Sequence, residues 1–161
     1  RGRRPVRGQE QHGGGSVNLL VSACLLGVPC RYDGRSKGVP RLAQRLNGCT
    51  LYPVCTEVLG GLPTPRTPAE RAGDKVLTRD GRDVTQAYRR GALEALRIAR
   101  ENGCTAALLK ERSPSCGCGL IYDGSFSGAL VPGNGVAAEL LERCGIRVLG
   151  ESRLAELEAP R

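Results

Sequence analysis

Val17-Asn18-Leu19-Leu20-Val21-Ser22-Ala23-Cys24 is the stretch on which the fold turns. Residues 17–23 form a short, apolar, β-rich run of the kind that makes a buried strand, and a cysteine follows at once. The succession recurs downstream. Cys49–Val54 predicts a second strand, with Cys55 next in line; residues 105–109 predict a third, with Cys116 shortly after; residues 146–149 predict a fourth. Helical patterns lie between them. A short one over 42–47 is closed by Gly48, and the clearest runs over 83–102, with Asp83 as N-cap and Gly103 as stop signal. Its apolar stripe of Val84, Ala87, Tyr88, Gly91, Ala92, Ala95, Ile98 and Ala99 is made mostly of small residues, which lets a helix lie close to a sheet. Residues 135–143 predict another helix, and 152–157 a last short one capped by Ser152. Residues 60–82, rich in Gly, Pro and charge, read as a long loop, and 126–131 as a small extra strand near an edge.

Strands alternating with helices predict a single α/β domain over 17–161, with a mainly parallel four-stranded sheet flanked by helices. The layout is Rossmann-like but carries no dinucleotide fingerprint: there is no GxGxxG after a strand and no Walker sequence. Residues 1–16, ending in Gly13-Gly14-Gly15-Ser16, read as a flexible basic leader. The apolar stretch before Cys24 is too short for a lipoprotein signal and is interrupted by Asn18. No segment approaches the roughly 20 apolar residues that span a bilayer. A soluble protein of the cytoplasm, with no membrane partner, is the expectation.

Composition narrows the chemistry. The 161 residues include eight cysteines but one histidine, His12, which lies in the leader. A Ser-His-Asp triad, a Cys-His pair, an HExxH zinc helix and a Cys2His2 finger are therefore excluded from the domain. Any metal must be held by cysteines or carboxylates, and any general base must be something other than imidazole. In a reducing compartment such cysteines are buried, metal-binding or catalytic rather than bridged. The net charge is +8, of which the first 15 residues supply +3 through four arginines against Glu10. With one Phe and four Tyr the chain has no evident platform for stacking bases, so nothing points to a dedicated nucleic-acid surface. Small anionic or heterocyclic substrates suit the charge equally well.

In open parallel sheets, ligands bind at the carboxyl ends of the strands. On the strand pattern, Cys24, Cys55 and Cys116 converge there. Lys110-Glu111-Arg112-Ser113-Pro114-Ser115-Cys116-Gly117-Cys118-Gly119 packs charge, hydroxyls, thiols and glycine into one loop, and Glu57 stands two residues beyond Cys55. Cys49, Cys104 and Cys144 read as buried hydrophobes, whereas Cys30 and Cys118 remain alternative ligands. Soft thiolates suit zinc or an iron–sulfur cluster, and a [4Fe–4S] cluster on three cysteines leaves one iron open to act as a Lewis acid.

Five segments together resemble the family known as domain of unknown function 523: Ser22-Ala23-Cys24-Leu25-Leu26-Gly27, Cys30-Arg31-Tyr32-Asp33-Gly34, Pro53-Val54-Cys55-Thr56-Glu57, Gly61-Leu62-Pro63-Thr64-Pro65-Arg66 and Ser113-Pro114-Ser115-Cys116-Gly117. Ile121-Tyr122-Asp123-Gly124 and Phe126 fit the same pattern, and the resemblance spans residues 17–150. It implies a thiouracil desulfidase-like enzyme that removes sulfur without net redox change, on a [4Fe–4S] cluster held by Cys24, Cys55 and Cys116. It implies Glu57 as acid/base and Ser113 as a second catalytic residue. The substrate implied is a small thiolated heterocycle such as 2-thiouracil, and the products are the oxo base and hydrosulfide. The sequence departs from the family at Thr56, where proline is usual, and in carrying Cys118. Arg66, Lys110 and Arg112 are candidates to stabilise negative charge, or else structural ion-pair partners. Two other readings stand beside this one. One is a module in which cysteines hold zinc and the basic surface contacts RNA; the other is a related sulfur enzyme acting on thiolated nucleotides or tRNA bases. Oligomeric state has no signature in the sequence.

Overall fold

The computed structural model describes residues 6–7 and 17–158. Four parallel strands form the frame: β2 (Val17–Ser22), β3 (Cys49–Val54), β6 (Ala106–Leu109) and β9 (Arg147–Gly150). The two-residue strand β1 (Val6–Arg7) pairs antiparallel with β3, giving the order β1-β3-β2-β6-β9. The rest of the proposed leader lies outside the described residues. Registers are direct, with Leu19 opposite Leu51 and Ala106, and Leu108 opposite Leu149.

Alternation along β2 sends side chains to both faces, as a central parallel strand requires. Leu19 and Val21 join Leu25, Leu42, Leu46, Leu51, Leu108 and Leu154 on one side. Leu20 joins Val54, Ala95, Ala99, Ala107, Leu109 and Leu141 on the other. The second face is covered by α3 (Thr85–Glu101) and α4 (Val136–Arg143); the first by α1 (Leu42–Arg45) and the 3-10 segments Ala23–Leu26 and Glu151–Leu157. The small-residue stripe of α3 is the buried one, with Leu96 added and Ile98 only half-buried.

Several local expectations need correction. The stretch 60–82 is not simply a loop: β4 (Ala69–Ala72) and β5 (Lys75–Thr78) form a hairpin around Gly73-Asp74, with Gly73 at a positive φ that a tight hairpin turn demands. The extra strand begins later than 126. Phe126 has φ 57°, and β8 (Leu130–Pro132) pairs with β7 (Leu120–Tyr122) in a separate two-stranded ribbon. The N-cap of α3 is Val84, although the Asp83 carboxylate accepts the Thr85 N–H at 2.9 Å and so serves the same first turn. Ser152 does not cap the last helix, which opens at Glu151 after Gly150; its N–H instead donates to Glu111 at 2.5 Å. Cys49 and Cys104 are buried as expected, while Cys144 is half-buried against the α3–α4 face.

The two hairpins are tied together above the carboxyl ends of the sheet. The Glu70 carboxylate accepts the N–H groups of Gly124 and Phe126 at 3.0 and 3.1 Å. Arg71 donates to the Asn134 carbonyl and to Glu139 at 2.8 and 2.6 Å, fastening β4 to the start of α4.

Candidate active site

A cavity of about 570 Å³ opens at the carboxyl ends of β2, β3 and β6, with the two hairpins as its outer wall. Cys24, Cys55 and Cys116 all line it, as do Glu57 and Ser113. Each sits on a different device. Cys24 lies in the 3-10 turn directly after β2, and Gly27, in the left-handed region, closes that turn. Cys55 is the N-cap of α2 (Thr56–Leu59), which puts Glu57 in its first turn.

The loop after β6 is held by α4. The Pro114 carbonyl accepts the N–H of Val136, and the Ser115 carbonyl accepts those of Ala137 and Ala138, at 2.9 to 3.1 Å. A Cβ at Gly135 would stand 2.4 Å from the Ser115 carbonyl, so only glycine permits this approach. Within the loop, the Ser113 hydroxyl oxygen accepts the N–H groups of Ser115 and Cys116 at 3.1 and 3.0 Å. With its lone pairs so engaged, its own proton is left to point at Glu57 Oε1, 3.5 Å away.

Glu57 is gripped from the other side. Arg66 Nε and Nη2 lie 2.6 and 2.5 Å from Glu57 Oε2, and Arg66 Nη2 also donates to the Cys30 carbonyl at 3.0 Å. The pair is largely dry, with side chains 7 % and 14 % exposed. Tyr88 of α3 approaches the same carboxylate; burial and then the Glu57 charge hold its phenol well above the ordinary range. Lys110, by contrast, pairs with Glu151 at 2.7 Å and acts as a strut. Arg112 is exposed at the cavity and pairs with no carboxylate among the described residues.

The thiols are crowded and dehydrated. Cys30 also lines the cavity, and its carbonyl accepts the Cys55 thiol at 3.6 Å. Its contact, and then burial, drive the Cys55 thiol far up from the ordinary value. Burial pushes Cys116 to about 11, against hydrogen bonds from Thr56 and Ser22 that favour the thiolate. Cys118 turns away: its Sγ lies 3.7 Å from Glu142 Oε1 and from the Val148 carbonyl, and it does not line the cavity.

This donor set suits a soft, positively charged group, because buried thiolates at one site repel each other until a metal neutralises them. Among the described residues, no three Cys, His, Asp or Glu side chains close around a single metal-ion position. Three soft cysteine donors on three separate segments suit a cluster in which each cysteine serves a different iron. Sequence patterning pointed to Cys24, Cys55 and Cys116, the family resemblance pointed to Glu57 and Ser113, and all five line this cavity. Patterning did not single out Tyr88, Ser22 or Ser115; the first was hidden in an apolar stripe, and the serines carry no signal without the fold.

Comparison with known proteins follows the same line. The sequence model of the 2-thiouracil desulfurase family matches residues 19–153. The uncharacterized protein YbbK of Bacillus subtilis (strain 168) is 41 % identical over 149 residues, covering 86 % of this chain and 99 % of that protein. The solved structure of a [4Fe–4S]-dependent thiouracil desulfidase, TudS, superposes with a TM-score of 0.84 at 50 % identity. The match covers 88 % of this chain and 95 % of that one.

Proposed function

The chain belongs to the 2-thiouracil desulfurase family, and from that premise we propose that it replaces the sulfur of a thiolated pyrimidine such as 2-thiouracil by oxygen. The observation that carries the reading is the gathering of Cys24, Cys55, Cys116 and Glu57 on one cavity at the ends of three parallel strands. Cys24, Cys55 and Cys116 would hold a [4Fe–4S] cluster. Such a cluster would supply Lewis-acid chemistry toward the substrate's thiocarbonyl.

The protein's own groups handle water and protons. Glu57 removes a proton from the attacking water, the task imidazole performs in other hydrolases. Arg66 and Ser113 fix the direction of its carboxylate, the guanidinium at Oε2 and the hydroxyl, oriented by two backbone N–H groups, at Oε1. Water adds at the C=S carbon, the C–S bond breaks, and oxo base and hydrosulfide form with no net change in oxidation state. Among the described residues no helix is long and apolar enough to cross a membrane. All eight cysteines are free, which favours the reducing cytoplasm as the working compartment.

A second reading of the same chemistry has its own support. Lys37, Arg79 and Arg112 line the cavity and, among the described residues, pair with no carboxylate. Cations so placed would meet the phosphate of a thiolated nucleotide. The test is anaerobic reconstitution followed by iron and sulfide analysis and by sulfide release from thiouracil, its nucleoside and its nucleotide. Zinc at one per chain, with no iron uptake and no sulfide release, would overturn the proposal.

A further inference from the structure

We infer that Thr56 is a positioning residue: its hydroxyl, fed by Ser115, donates a hydrogen bond to the Cys116 sulfur and so sets the electron density of the iron–sulfur bond there. The inference rests on the reading of Cys116 as a cluster ligand. Thr56 and Ser115 are buried, at 2 % and 0 % exposure. Their hydroxyls are in direct contact, and Thr56 Oγ1 lies 3.5 Å from Cys116 Sγ.

Each hydroxyl has one proton, whereas a metal-bound thiolate only accepts. With Cys116 ligating, Thr56 must therefore give its proton to sulfur, and its oxygen takes the Ser115 proton in turn. No further partner of the Ser115 hydroxyl is found among the described residues, so the relay has one direction: Ser115 to Thr56 to Cys116. The backbone holds Thr56 to this task. Its carbonyl lies where a Cβ on Gly91 would be 1.9 Å away, so α2 rests directly on the backbone of α3. Thr56 thus supplies a side-chain hydrogen bond to the third cysteine. Such bonds to ligating sulfur draw charge from the metal, raise its reduction potential and sharpen its Lewis acidity.

The test uses the full chain, reconstituted without air, as the parent and as Thr56→Val, Thr56→Ser, Ser115→Ala and Cys116→Ala. Iron content, the cluster's reduction potential and kcat and KM for 2-thiouracil are read on each. Thr56→Val is expected to lower the potential and to reduce kcat about tenfold with KM little changed; Thr56→Ser restores both. Ser115→Ala shifts the potential the same way by less. Loss of iron from the valine variant but not the serine variant also supports the inference, because valine copies threonine's shape and lacks only the hydroxyl. If neither Thr56 variant holds iron, the Ser115→Ala potential decides. A parental potential in loaded Thr56→Val overturns the role of Thr56. Full iron and activity in Cys116→Ala would instead overturn the ligand reading beneath it.

Discussion

Gly91 of α3 and Thr56 of α2 meet backbone to backbone: a Cβ on Gly91 would stand 1.9 Å from the Thr56 carbonyl oxygen. Gly60 makes the reciprocal approach, where a Cβ would stand 2.0 Å from the Ala87 carbonyl oxygen. The helix that carries Glu57 is thereby seated on the helix that carries Tyr88. In an ordinary helix interior, glycine to alanine stabilises by about 1 kcal/mol. Here Gly91→Ala is expected to destabilise by about 2 kcal/mol through overpacking and to lower activity as α2 is pushed off its seat. Urea midpoints and sulfide-release rates on the same preparation check both halves.

Glu57→Gln keeps the size and packing of the side chain but removes the base. Iron content should be retained, and the rate of sulfide release should fall about 100- to 10,000-fold. Full activity with a loaded cluster would take Glu57 out of the reaction.

Arg66→Met leaves the Glu57 carboxylate largely buried with its guanidinium gone, and frees the Cys30 carbonyl from its donor. Removing one partner of such a pair is expected to cost about 3 kcal/mol. Arg66→Lys should recover only part of this, since one ammonium cannot reproduce the fork that reaches Glu57 and Cys30 together. Denaturation of the two variants beside the parent gives the ranking.

The metal-free protein should lose stability in alkali. Burial raises the Cys116 thiol from an ordinary 9.0 to about 11, and contact with Cys30, then burial, raises Cys55 in the same direction. Cys104, away from the cavity, is pushed by burial to about 11 as well. A raised thiol means that the folded chain keeps a proton the unfolded chain has released. Its contribution is therefore complete below about pH 9 and is lost as pH rises through about 11. Denaturant midpoints across that window should fall for the metal-free protein. They should fall less steeply once Cys116 and Cys55 are held as thiolates by metal.

The parallel frame was legible because its strands are compact apolar runs with helices between them, and because a cysteine follows three of them. The family resemblance then brought Glu57 and Ser113 into view. The hairpin over 69–78 was not legible. Its strands, Ala-Glu-Arg-Ala and Lys-Val-Leu-Thr, are charged and short, and gain their order by bonding to the 124–126 turn and to α4. The Thr56–Ser115 contact joins residues 59 apart, and the Arg66–Glu57 pair joins a loop to a helix. Neither follows from periodicity, since both depend on how three strand ends are brought side by side.

Val6–Arg7 runs antiparallel along Thr50 and Leu51 on the outer side of β3. Those rungs occupy backbone groups that a bare sheet margin would offer to another chain. A shortened protein lacking residues 1–16 would keep its catalytic residues yet present a sticky border, and its solubility should fall with concentration while its chemistry persists. The two-residue strand Val6–Arg7 thus acts as a partial fender along β3 against strand-to-strand aggregation.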